Sequence, residues 1–141
     1  MPSSQQELRR GRLRKILVVF GIVIPVALLH FVTGPGYTGP FPVFVNGYLI
    51  DILLPLTAYF LLVFIEPQIP LLRRWYVKSA LVFAIGAGIE MAQFFGLPLL
   101  GRTFDPLDFA MYGAGVLLAA VFDTVVFPRL FPFWARQTGS L

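Results

Sequence analysis

The chain has 141 residues, 57% of them hydrophobic and 13% charged, where an ordinary soluble domain carries about 25% charged residues. A core this small cannot bury so much Leu, Ile, Val and Phe, so lipid must solvate much of the surface. The excess of 11 basic over 7 acidic residues suggests nucleic acid only until the bases are located. Arg9, Arg10, Arg12, Arg14 and Lys15 stand directly before an apolar run, where a membrane protein keeps its cytoplasmic charge, so nucleic acid is excluded as a partner. Cysteine is absent, which removes disulfides, thiolate metal sites and thiol nucleophiles.

A helix needs about 20 mainly apolar residues to span the hydrocarbon core of a bilayer. Four segments qualify, running from Ile16 to Val32, Tyr48 to Ile65, Tyr76 to Leu97 and Leu107 to Phe127. Gly34 to Pro42, then Pro67 and Pro70, then Gly101 and Pro106 break the chain between them. No stretch alternates as a barrel strand must. The expected fold is therefore all-α, a four-helix transmembrane bundle over residues 16–127. A basic cytoplasmic segment precedes it over 1–15, and an interfacial cytoplasmic tail follows over 128–141.

The residues after the first run, from His30 to Pro35, lack the small-x-small pattern of a signal-peptidase site, so that run is read as an uncleaved helix. Ten Lys and Arg residues fall on one side of the four spans and Arg102 alone on the other. This bias places both termini in the cytoplasm of a multi-pass protein of the bacterial plasma membrane. Trp75, Tyr76, Phe131, Phe133 and Trp134 then read as aromatic anchors at the inner interface.

An ionisable residue inside a spanning helix costs roughly 2.5–3.5 kcal/mol on insertion scales, so its presence needs a reason. Asp51 lies near the outer end of the second span. Glu90 lies in the outer half of the third, with Gln93 on the same face. Arg102, Asp105 and Asp108 occupy the outer loop and the start of the fourth span, with Tyr112 one turn below Asp108; His30 and Asn46 also fall on this side. Polar residues scattered in sequence thus converge on one end of the bundle.

Each has a structural reading as well. Asp105 before Pro106 suits an N-cap, and Asp108 favours the positive end of the helix dipole. Asp108, Tyr112, Gly115 and Ala119 share one face, narrow enough to pack inward. Glu90 and Gln93 would form a polar lock against Arg102. On the opposite face of the third span, Ala80, Ala84, Gly88 and Ala92 form a small-residue stripe. The stripe suits close packing within the chain, which would make this helix central, or a homo-oligomer. The cytoplasmic half shows no deep charge to continue a conduction pathway. No metal-ligand set or cofactor motif is present.

Glu90-x-x-Gln93, Gly101-Arg102-x-Phe104-Asp105-x-x-Asp108 and Tyr112-Gly113-Ala114-Gly115 together resemble the signature of the VanZ-like membrane proteins. That family is named for a protein linked to teicoplanin resistance. It commonly has Asn where this chain has Tyr112. A neighbouring group of small membrane proteins has a Tyr-x-x-Gly pattern there and an Asp early in a preceding helix, as Asp51 is here. The resemblance covers roughly residues 80–123. It implies a small cell-envelope protein, with glycopeptide resistance in a few members.

Two functional readings follow. In the first, Glu90, Gln93, Arg102, Asp105, Asp108, Tyr112 and Asp51 bind a lipid-linked or peptidoglycan-related headgroup. Arg102 would hold a phosphate or carboxylate, and the carboxylates an amine, hydroxyl or cation. In the second, Glu90 acts as general acid or base on a lipid substrate. A purely structural role for the same residues remains alongside them.

Overall fold

A computed structural model supplies the fold and describes residues 4–32, 36–97 and 105–135. All regular structure among the described residues is helical. Helices α1 (Ser4–Val32), α2 (Pro42–Phe64), α3 (Trp75–Phe94) and α4 (Pro106–Leu130) are each long and apolar enough to cross a membrane. A short helix, α5 (Pro132–Ala135), follows them. Even α3, with 20 residues, reaches about 30 Å at 1.5 Å per residue.

Two helices start earlier than their apolar runs. The basic stretch is part of α1, because Gln, Glu, Leu, Arg and Lys are all good helix formers and only Gly11 interrupts them. Helix α2 starts at Pro42, whose fixed φ suits the first helical position, and passes through a π-helical turn at Val45–Leu49. Helix α3 stops where Gly96 takes a left-handed φ of 82°. There the Gly96 N–H donates to the Gln93 carbonyl and the Leu97 N–H to that of Ala92, which closes the helix end.

The packing corrects the expectation that the third span is central. The closest pair is α2 with α4; α3 lies against α4, while α1 packs on α2 and α5. The reason is local. A Cβ at Gly115 would collide with the Ile52 carbonyl oxygen and approach Pro55 Cγ to 2.8 Å, so only glycine lets α2 and α4 come this close. Of the small-residue stripe, Ala80, Ala84 and Gly88 are exposed and Ala92 is half-buried, and a Cβ on Gly88 would meet nothing within 4 Å. No helix of the chain covers that stripe among the described residues.

The inward faces run along regular stripes. On α3 the buried Lys78, Val82 and Glu90 and the half-buried Gly86 follow one another every four residues. On α4 the buried side contains Tyr112, Gly115, Val116, Ala119, Ala120 and Phe127. Of these, Val116, Ala119, Ala120 and Phe127 meet Val82 of α3, Leu56, Tyr59, Phe60 and Val63 of α2, Val19 of α1 and Trp134 of α5 in one core. Outward, Leu17, Leu28, Phe31 and Leu117 are each at least 60% exposed, an apolar girdle of the kind lipid solvates.

Candidate functional site at the acidic end

Glu90 lies at the polar end that contains Asp51 and Asp108. Its side chain is 1% exposed, and its Oε1 accepts a hydrogen bond from the Tyr112 hydroxyl at 3.1 Å. The backbone explains this pairing. A Cβ at Gly86 would lie 2.9 Å from Tyr112 Cδ2, so the missing side chain is what admits the ring against α3. Glu90 lies one helical turn farther along the same face, within reach of the ring's hydroxyl. The other carboxylate oxygen, Oε2, is buried and has no hydrogen-bond partner among the described residues.

Three more carboxylates stand nearby. Asp108, Glu90 and Asp105 all act electrostatically on Asp51, and Glu90 and Asp105 on Asp108. Asp51 and Asp108 are half-buried at the same end as Glu90. Pro55 has no N–H to offer the carbonyl of Asp51 one turn back, which leaves a further acceptor at this end. Asp105 is the N-cap of α4, as its sequence context suggests: its Oδ1 accepts from the Leu107 N–H at 2.9 Å. Gln93 is half-buried one turn beyond Glu90. Arg102 lies outside the described residues, so the expected lock of Glu90 against it is not on view; the partner observed for Glu90 is Tyr112.

Two residues expected on this side stand apart. His30 is exposed, with its ring 6.2 Å from that of Phe31. Asn46 is exposed and donates to the Tyr37 carbonyl at 2.9 Å, bracing the loop before α2. Among the described residues, no group of three His, Cys, Asp or Glu side chains is placed to hold a metal ion.

The opposite end contains a network that the sequence reading missed. Lys78 Nζ lies 2.7 Å from both Glu66 Oε1 and Asp123 Oδ2, and 4.7 Å from the centre of the Tyr59 ring. Asp123 also accepts from the Tyr59 hydroxyl at 2.8 Å and from the Trp134 indole N–H at 2.8 Å. Lys15 is buried against the same indole, with its ammonium 5.0 Å from the ring centre.

This network overturns two expectations. The basic half does hold deep charge, since Lys78 is buried on α3. Trp134 is 1% exposed rather than an interfacial anchor, because α5 folds under the bundle against Phe60 and Phe127. The signal for Asp123 was present. Continuing the face of Tyr112, Gly115 and Ala119 by one more turn reaches it.

The two ends differ in charge balance. Lys15 and Lys78 match Glu66 and Asp123 one for one, and every polar atom of Asp123 is bonded. Among the described residues, the charged neighbours of Asp51 and Asp108 are other carboxylates. The hydroxyls of Thr57 and Ser79 also lack partners among the described residues, but a neutral hydroxyl is far cheaper to bury than a carboxylate. No protein-family model matches the chain, and neither does any curated protein or solved structure.

Proposed function

We propose that the chain spans a bacterial plasma membrane four times with both termini in the cytoplasm. Its acidic end, on the outer face, binds the headgroup of a cell-envelope lipid or a peptidoglycan-related molecule. The basic residues clustered at the other end support this orientation through the positive-inside tendency. Kinship with the VanZ-like proteins is part of the same reading. It rests on Glu90, Gln93, Arg102, Asp105 and Asp108 and links the protein to the response to glycopeptides.

The observation that carries the binding proposal is the buried Glu90 Oε2, without a partner among the described residues, at the end that holds Asp51 and Asp108. A buried acceptor left without a donor costs a fold about 1–3 kcal/mol, and the Tyr112 bond to Oε1 leaves Oε2 unsatisfied. An incoming group that donates to Oε2 would remove that cost, which gives the site an intrinsic appetite for a ligand.

Native mass spectrometry of protein released gently from its membrane tests the proposal. Wild type is expected to carry a specific envelope-derived adduct that Glu90→Gln and Tyr112→Phe lose. Identical adduct patterns in all three proteins would sink the headgroup reading.

A further inference from the structure

We infer that four arginines form a collar on α1 that binds the headgroups of anionic phospholipids in the leaflet where the helix emerges. The orientation proposed above makes this the cytoplasmic leaflet. The inference is independent of what the acidic end binds and requires only that α1 crosses a bilayer.

Arg9, Arg10, Arg12 and Arg14 are all exposed, and Glu7 is the one acidic side chain of α1. Carboxylates from the other helices do not neutralise them. Both ion pairs among the described residues belong to Lys78, which occupies Glu66 and Asp123. Arg14 stands over the Phe133 ring, 5.9 Å from its centre, which fixes its place beside α5 but leaves its charge unmatched.

Depth is the first argument for lipid. Helix α1 runs unbroken from the arginines into the apolar run that starts at Ile16. At 1.5 Å per residue, Arg9 and Arg14 are about 7.5 Å apart along the axis. A bilayer about 40–45 Å thick around a hydrocarbon core of about 30 Å leaves roughly 5–7.5 Å of headgroups on each side. The collar has the height of that layer and begins where the apolar run ends.

Direction is the second argument. At about 100° per residue the four arginines spread around α1, and the widest gap between them is about 160°. That gap contains Lys15 and Val19, which are buried against the bundle. Arginines thus cover the sides of the helix that the bundle leaves open. A nucleic acid or an acidic protein would dock along one stripe, whereas a layer of headgroups meets every open side. Guanidiniums form charge-assisted, bidentate bonds with phosphate, and a lipid without a compensating cation keeps the full attraction.

The chain has no cysteine, so Leu13→Cys, at an exposed position inside the collar, sets a single bimane reporter. The labelled full chain is placed in phosphatidylcholine nanodiscs with a minor fraction of nitroxide-bearing lipid, either phosphatidylglycerol or phosphatidylcholine. Both leaflets have the same composition, so the reading does not depend on orientation. Phosphatidylglycerol is expected to quench with a relative affinity at least about threefold higher at low salt, and high salt should remove the difference. Replacing Arg9, Arg10 and Arg12 together by Gln should abolish the preference, and replacing them by Lys should keep it. If the Gln variant does not fold, the salt series and the Lys variant still decide. Equal quenching by the two lipids, or a preference that salt leaves unchanged, would overturn the collar. Loss of the preference on adding a short DNA duplex or polyglutamate at physiological salt would assign the arginines to a soluble partner and overturn the lipid.

Discussion

Lys78 and Asp123 face each other between α3 and α4, Nζ to Oδ2 at 2.7 Å, although each sits in a segment apolar enough to cross a membrane. Glu66, Tyr59 and Trp134 complete their hydrogen bonding, so one ammonium and one carboxylate join α2, α3, α4 and α5. The pair is almost fully removed from solvent, with side-chain exposures of 1% and 10%. Removing one partner from such a pair is the expensive event, because the other charge is left buried and unmatched.

Lys78→Met should therefore lower stability by about 3–5 kcal/mol, read as a large fall in Tm in detergent. Adding Glu66→Gln and Asp123→Asn to Lys78→Met removes the stranded charges and should recover much of the loss. A triple variant as unstable as the single one would show that packing around the lysine stem, rather than charge, sets the cost.

Glu90→Gln should behave in the opposite way. Its amide oxygen can still accept from Tyr112, while the unpaired carboxylate oxygen is replaced by a neutral amide nitrogen. Stability equal to or above wild type is expected from the same unfolding assay. A fall as large as that of Lys78→Met would make Glu90 a structural lock and remove the ground for a binding site.

Glycines give a third contrast. Gly115→Ala places a methyl into the Ile52 carbonyl and Pro55, so α2 and α4 must separate, at a cost of at least about 1–3 kcal/mol. Gly88→Ala meets nothing and should be neutral or stabilising by about 0.5–1 kcal/mol. Destabilisation by Gly88→Ala, together with loss of a cross-linked dimer, would reveal that a second copy covers the exposed stripe.

Trp134 and Trp75 report on the tail. Trp134 is 1% exposed and Trp75 47%. In a Trp75→Phe background the remaining fluorescence should resist acrylamide. In a Trp134→Phe background it should quench readily. Equal quenching would mean that α5 does not dock under the bundle in solution.

Orientation can be read directly because the chain has no native cysteine. Thr38→Cys and Gln68→Cys place single thiols at exposed positions in opposite loops. A membrane-impermeant maleimide added to intact cells should label Thr38→Cys, and Gln68→Cys only after permeabilisation. The reverse pattern would put the acidic end in the cytoplasm and end the envelope reading.

The sequence by itself determined whatever depends on local rules. Four apolar runs of spanning length, the Asp105 cap of α4 and the inward face of Tyr112, Gly115 and Ala119 are all matters of helical rise, period and end chemistry, and all are present in the structure. The gathering of Asp51, Glu90, Asp105 and Asp108 at one end followed from counting residues along antiparallel helices.

Partner choice was decided only by tertiary structure. Glu90 bonds Tyr112 rather than a neighbour on its own helix because Gly86 admits a ring from α4. The third span as read from the sequence already contains Lys78, but only the packing of α3 on α4 shows that it turns inward to Asp123. Trp134 looked like an interfacial anchor until α5 tucked it against Phe127. Helical period says which face a residue shares. It cannot say which helix covers that face, because that depends on how closely two backbones approach, and here single glycines set the distance.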